Sequence, residues 1–231
     1  MSDVGGHDAV RRSYDQVAQE YFARLRDELD YKPLDRALLG LIVEEVGSQG
    51  SIADVGCGPG HVAGWLADRS ASVVGIDLSP GMVSLGRQSY PRVEFRQGDM
   101  LSLPAEDDEF AAVIALYSII HLTEDELQPA FEEIARVLQP QGLLLVSFHM
   151  GLEVRHLSDW WGHPVDIDFR FLEPDSVIPQ LEQAGLVVET RLERQNYPDE
   201  VETRRAYVLA RRRPAPRPDS APVRPAAAPS P

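Results

Sequence analysis

A mixed α/β fold, with one mostly parallel sheet covered by helices on both faces, follows from three observations on this chain of 231 residues. Short apolar runs alternate with helix-patterned stretches along most of its length, the mark of strand–helix–strand units. The first such run, Ser51 to Val55, ends in a turn holding three glycines, Gly56-Cys57-Gly58-Pro59-Gly60, and a helix pattern opens at His61 with Val62, Trp65 and Leu66 on one face. A later run, Phe110 to Leu116, is almost wholly apolar, as a central parallel strand packed on both sides must be.

Taken in order, Asp8 to Leu29 predicts a helix, because Tyr14, Val17, Ala18, Tyr21, Phe22, Leu25 and Leu29 fall at helical spacing. Tyr14 and Tyr21 lie seven apart and share a face. Pro33 suits the first turn of a second helix, which runs to about Val46 and is stopped by Gly47. After the glycine turn and its helix, Ala71 to Ile76 is a second strand ending in Asp77. Ser79-Pro80 supplies an N-cap and a first-turn proline for the next helix. Val93 to Met100 is a third strand and Phe110 to Leu116 a fourth. Thr123-Glu124-Asp125-Glu126 is a capping box opening a helix to about Leu138. Leu143 to Phe148 is the fifth strand. Residues 149–172 are polar and aromatic with no clear period, a length that reads as a functional loop or lid. Pro174 to Ala184 is a helix stopped by Gly185, and Leu186 to Arg194 with Arg204 to Arg211 closes the sheet as a terminal hairpin, seven strands in all. Residues 214–231 are rich in Pro and Ala and are expected to be disordered.

The glycine turn sits where a nucleotide-like ligand docks, since glycine lets backbone approach a ligand that a Cβ would push away. A dinucleotide fingerprint would need its third glycine where His61 stands. The spacing acidic-x-G-x-G-x-G, with Asp54 two residues before Gly56, fits a loop for S-adenosylmethionine (SAM) instead. The alternative is an ordinary glycine-rich turn. Asp77, at the end of the next strand, is placed to accept both ribose hydroxyls, and Asp99 to accept from the adenine amino group while Met100 packs on the ring. Met82 is a second candidate for the adenine face. Cys57, Leu78 and Leu116 complete the candidate cofactor set with Gly56, Gly58 and Gly60.

The segments Asp54-Val55-Gly56-Cys57-Gly58-Pro59-Gly60, Val74-Gly75-Ile76-Asp77-Leu78-Ser79, Gly98-Asp99-Met100 and Arg136-Val137-Leu138-Gln139-Pro140-Gln141-Gly142 resemble the successive motifs of class I SAM-dependent methyltransferases of the compact small-molecule type 11/25. The resemblance covers roughly residues 10–212. It departs at Ala111, where members often carry Asp, and at Gln141, where they carry Gly. It implies a Rossmann-like sheet with its last strand antiparallel, an N-terminal helical cap over the cofactor (residues 1–47), a SAM-binding domain (48–213) with a substrate insertion at 149–172, and the tail at 214–231. Ser13-Tyr14-Asp15-Gln16-Val17-Ala18-Gln19-Glu20-Tyr21 matches that cap. Lys32, the only lysine, is either a solvated residue before a helix or a cation held over the SAM carboxylate.

Composition limits the partners. The formal charge is −15, and residues 1–210 carry 17 basic against 36 acidic groups. Such a surface repels phosphate backbones, so nucleic acid is not an expected substrate. No apolar run reaches the roughly 18 residues of a membrane span. A cytoplasmic protein is expected. The single cysteine, Cys57, has no disulfide or zinc partner, leaving a small buried filler or a reactive thiol.

A sulfonium methyl is already activated, so alignment of the attacking atom is the main task and a base is optional. His121 follows the fourth strand in Tyr117-Ser118-Ile119-Ile120-His121-Leu122, a stretch similar to one in phosphoethanolamine methyltransferases where a histidine pairs with an N-terminal tyrosine. His149 at the end of the fifth strand is the other candidate, with Tyr14 or Tyr21 in support. His149, His156 and His163 are seven apart, which is not a metal-ligand spacing, and no carboxylate follows the fourth strand, so no metal is expected. The expected activity is methyl transfer to O, N or C of a small acceptor, possibly an aromatic one. A SAM-binding protein with a non-methylating reaction or a sensing role stays open, and an NAD-dependent oxidoreductase is disfavoured by the loop spacing.

Overall fold

The computed structural model describes residues 4–48, 50–69 and 72–214. The tail expectation for 215–231 lies outside them. Six α-helices and nine strands follow in the order α1 (Val4–Leu25), α2 (Pro33–Val46), β1 (Ser51–Val55), α3 (His61–Ala67), β2 (Ser72–Asp77), α4 (Pro80–Ser89), β3 (Glu94–Gln97), β4 (Phe110–Leu116), α5 (Glu124–Val137), β5 (Leu138–His149), β6 (Val154–Trp160), β7 (His163–Arg170), α6 (Pro174–Gln183), β8 (Leu186–Arg194) and β9 (Arg205–Arg212). Seven strands form one sheet in the order β3-β2-β1-β4-β5-β9-β8, with β9 antiparallel to both neighbours. The other pairings are parallel.

Period-two alternation splits the core into two layers. Ala112, Ile114, Leu143 and Leu145 face α2, α3 and α4, whereas Val113, Ala115, Leu144 and Val146 face α5 and α6. Phe131 of α5 is fully buried in the second layer, and its truncation to Ala would cost about 3–5 kcal/mol. The strand order reverses between β1 and β4, which leaves a crevice at the carboxyl ends of β1, β2, β4 and β5.

Helix ends behave as their residues dictate. Ser79 Oγ accepts from the Met82 N–H at 3.0 Å, and Glu126 Oε2 reaches back to the Thr123 N–H at 2.8 Å. The first helix ends at Leu25, not Leu29, and a 3-10 turn over Glu28–Tyr31 follows, which swings Glu28 inward. Gln141 holds a left-handed backbone (φ 67°).

The stretch 149–172 is not a loop. Residues 154–170 form a two-stranded antiparallel hairpin whose turn is Trp161-Gly162, with φ of 57° and 84°, in register Trp160 with His163. Two left-handed residues in a two-residue turn match the twist of the strands they join. Among the described residues no helix is long and apolar enough to cross a membrane.

Candidate active site

A cavity of about 440 Å³ opens along the carboxyl edge of the sheet, within the range of small-molecule sites. Its inner wall is the glycine turn. Gly56, Gly58 and Gly60 all have positive φ (72°, 54° and 85°), and a Cβ on Gly56 would stand 2.2 Å from that of Ser118. Backbone N–H groups of Gly56 and Cys57 donate to the Ile76 carbonyl, tying the turn to β2. Asp77 Oδ2 accepts from the Gly58 N–H at 2.7 Å and Oδ1 from the Ser79 N–H at 2.8 Å, so backbone fixes its carboxylate and leaves further lone pairs for a ligand.

Two acids here are buried, with the His61 ring offsetting only part of the effect of burial on Asp54. Burial pushes Asp54 up to about 7 and Asp77 up to about 6. Asp54, 3% exposed, keeps Oδ2 without a hydrogen-bond partner. Buried carboxylates favour a ligand carrying positive charge, and SAM carries an ammonium and a sulfonium. The glycine cradle, the orphaned Asp54 oxygen and the fixed Asp77 carboxylate therefore fit this cofactor. Asp54, Gly56, Gly58, Asp77, Leu78, Asp99, Met100 and Leu116 all line the cavity, as does Cys57. Burial raises the Cys57 thiol well above its ordinary range, so its thiolate is suppressed.

Lys32 lines the cavity and is buried, not solvated. It is 8% exposed, with Nζ 2.6 Å from Glu28 Oε2 and 3.6 Å from Glu200 Oε1. Glu28 also meets His61 Nε2 at 2.7 Å. Burial opposes its charge, but the bonds from His61 and the Lys32 cation bring it down to about 2.

At the other end α1 and the hairpin close over the cavity. Ser13 Oγ bonds both backbone groups of Asp166, at 3.0 and 3.2 Å. Asp15 Oδ1 takes the Gly81 N–H at 2.9 Å at the start of α4. Tyr14 Oη stands 2.7 Å from His121 Nε2, and His121 Nδ1 stands 2.9 Å from the Asp168 carbonyl oxygen. A carbonyl only accepts, so Nδ1 carries the hydrogen and Nε2 accepts from the Tyr14 hydroxyl. Burial holds His121 down to about 4 and raises Tyr14, so both are neutral near pH 7. Tyr21, Trp160, Trp161 and Phe169 complete an aromatic wall, with ring centroids 5.0–6.1 Å apart.

His149 follows the same logic with a different outcome. Its Nδ1 bonds Thr203 Oγ1 at 2.8 Å, and burial, with Arg205 and Lys32 nearby, lowers it to about 4. Its ring lies 5.0 Å from that of Tyr117 and 5.5 Å from that of Phe171. Tyr117 has φ 54°, an uncommon backbone for a bulky residue, at the end of β4. Its hydroxyl meets Tyr207 Oη at 3.0 Å, and Tyr207 donates to Asp35.

Two candidate cofactor residues fall elsewhere. Met82 is fully buried between α1 and α4 with Val17, Ala18 and Leu85 and does not line the cavity. Gly60 turns its back on the cavity, where a Cβ would strike the Phe95 ring at 2.4 Å. Sequence reasoning missed His7, Glu28, His61 and Tyr117, which all line the cavity. The spacing His7, Tyr14, Tyr21 was the available signal for the first.

Residues 52–142 match the family model described as a methyltransferase domain. The demethylmenaquinone methyltransferase of Renibacterium salmoninarum is 30% identical over 61% of this chain and 58% of its own length. The malonyl acyl-carrier-protein O-methyltransferase of Serratia marcescens is 28% identical over 69% and 60%. The solved structure of the 4+2 cyclase SpnF shares the fold at a TM-score of 0.59 and 23% identity, covering 78% of this chain and 81% of that one. The chain spans about half to three-fifths of the length of the first curated relatives, 56%, 60% and 49%. Its motif-bearing strand ends gather on one cavity, and over residues 52–142 the chain is similar to the methyltransferase domain, on a sheet shared with solved SAM-dependent methyltransferase structures.

Proposed function

We propose that this protein transfers a methyl group from SAM to an O, N or C atom of a small acceptor held between α1 and the β6–β7 hairpin. The observation that carries the reading is that Asp54 and Asp77 share one cavity with the Tyr14–His121 pair. The cofactor supplies a methyl group activated by its positive sulfur. The protein's share is alignment, which is worth about 7–11 kcal/mol, and proton handling, which adds about 10²–10⁴ in rate. Tyr14 and His121 suit the second task. An acceptor proton passed to the Tyr14 oxygen can be relayed as the Tyr14 hydrogen moves to His121 Nε2, and the Asp168 carbonyl steadies the imidazolium that results.

The relatives named above act on different acceptors, a carrier-bound malonyl group and a demethylmenaquinone, so the acceptor follows from the cavity walls and not from the domain. The aromatic wall of Tyr14, Tyr21, Trp160 and Phe169 supports a planar or apolar acceptor. A second reading, SAM bound without methyl transfer, is supported by the cyclase that shares the fold. Incubation with SAM and a panel of phenols, carboxylic acids and amines separates the two. Release of S-adenosylhomocysteine with one class of acceptor supports the first; binding of SAM with no release across the panel supports the second.

A further inference from the structure

We propose that His7 is a positioning residue that clamps the adenine end of the cavity and couples its occupancy to closure of α1. This rests on the SAM reading, in which Asp99 meets the adenine. His7 Nδ1 lies 2.8 Å from Asp99 Oδ2, and its Nε2 lies 3.3 Å from Glu126 Oε1. Three elements meet there: α1, the turn after β3 and the first turn of α5. Both ring nitrogens face carboxylates, and a neutral imidazole has only one hydrogen to give, so the arrangement selects the imidazolium. Asp99 Oδ1 is already bound by the Leu101 N–H at 2.9 Å and Glu126 Oε2 caps α5, so His7 Nδ1 bonds the remaining Asp99 oxygen, while its buried Nε2 has no hydrogen-bond partner and stands within ion-pair distance of Glu126 Oε1. The His7 side chain is 19% exposed and that of Glu126 10%, which shields the contact from solvent.

The helix geometry turns this local contact into a lever. His7, Tyr14 and Tyr21 lie seven residues apart, on one face of α1, and all three line the cavity. At about 1.5 Å per residue, His7 stands roughly 10 Å from Tyr14 along a rigid rod. One face of one helix thus touches the adenine end with His7, the acceptor end through Tyr14, and the glycine turn with Tyr21, whose ring lies 3.7 Å from where a Gly58 Cβ would be. Fixing the first turn of α1 on Asp99 sets where Tyr14 meets His121.

The charged groups facing His7 are Asp99 and Glu126; on α1 itself, Asp8 pairs with Arg11. The hydrogen bond that His7 donates to Asp99 and both carboxylate charges raise His7 above its ordinary 6.5, against the opposing effect of burial. A raised histidine holds its contacts at low pH and loses them as pH rises through the shifted value. Asp54 and Asp77 act in the opposite sense at about 7 and 6, so the clamp is read on the alkaline side.

The test is calorimetric titration of the full chain with S-adenosylhomocysteine from about pH 7 to about 9, with hydrogen exchange of α1 alongside. We expect His7→Ala to weaken binding on the order of tenfold at pH 7, near the low end of typical coupling between sites, and to lessen the protection of α1 on binding. The difference between wild type and variant should shrink as pH rises. His7→Lys keeps a cation that does not titrate in this range; it should restore affinity and hold it to higher pH. If His7→Ala and His7→Lys both bind as the wild type does, with the same pH profile, the clamp is wrong and the cofactor reading stands. If the wild type itself binds no S-adenosylhomocysteine, the cofactor reading fails first.

Discussion

At one end of the cavity Asp54, Gly56, Gly58 and Asp77 are held by backbone hydrogen bonds inside a single strand–turn–helix–strand unit, whereas at the other Tyr14 meets His121 across 107 residues of sequence and Tyr207 meets Asp35 across 172. The first end is preset by the sheet. The second exists only while α1 and the hairpin stay docked. On the proposed reading the sheet edge serves binding and the contacts between α1 and the hairpin serve turnover, so substitutions at the two ends should separate into effects on affinity and effects on turnover.

The largest expected effect breaks that division if it goes wrong. His121→Ala should lower turnover by about 10²–10⁴ with an oxygen acceptor and leave S-adenosylhomocysteine affinity unchanged. Steady-state rates and calorimetry on the same preparation check both. A full loss in His149→Ala with none in His121→Ala would move the proton to His149, whose Nδ1 is held by Thr203. Next, Asp77→Ala removes charge-assisted bonds worth about 1.5–3 kcal/mol and should weaken S-adenosylhomocysteine about 10- to 150-fold. An unchanged dissociation constant would remove the ribose from Asp77.

Smaller effects sharpen the comparison. Tyr14→Phe deletes one hydrogen bond of about 0.5–1.5 kcal/mol and should lower turnover about 2- to 12-fold if the hydroxyl only orients His121. A loss as large as that of His121→Ala would show the hydroxyl itself carries the proton. The mildest expectation concerns pH. His121 and His149 are held near 4 in the folded chain against 6.5 as the reference value, so the native state binds fewer protons between these values. Their contribution to stability is complete above about pH 6.5 and falls away as the pH drops towards about 4. Denaturant midpoints at several pH values should show this decline, and His121→Gln should flatten part of it.

Local chemistry explains what could be read from the sequence. The glycine turn, the Ser79 cap, the Thr123–Glu126 box and the acids at successive strand ends each depend on neighbours a few residues away, so spacing reveals them. The hairpin escaped because its alternation of Val165, Ile167 and Phe169 is short, preceded by Pro164, and joined by a turn whose first residue is Trp161, a side chain that seldom adopts positive φ. Met82 looked like an adenine contact, but the same helix spacing turns it towards Val17 and Ala18 of α1. His7, Glu28 and Tyr117 gain their meaning from partners far along the chain, and no local pattern states which carboxylate a histidine will meet. Lys32 was visible as the lone lysine; its burial between Glu28 and Glu200 was not.

The central claim is that the carboxyl edge of this sheet holds SAM and not a dinucleotide. Calorimetric titration of the whole chain with S-adenosylhomocysteine and, separately, with NAD tests it most directly. The account predicts saturable binding at a single site for S-adenosylhomocysteine, a rise in melting temperature with its concentration, and no response to NAD. Saturable binding of NAD with no response to S-adenosylhomocysteine would contradict it.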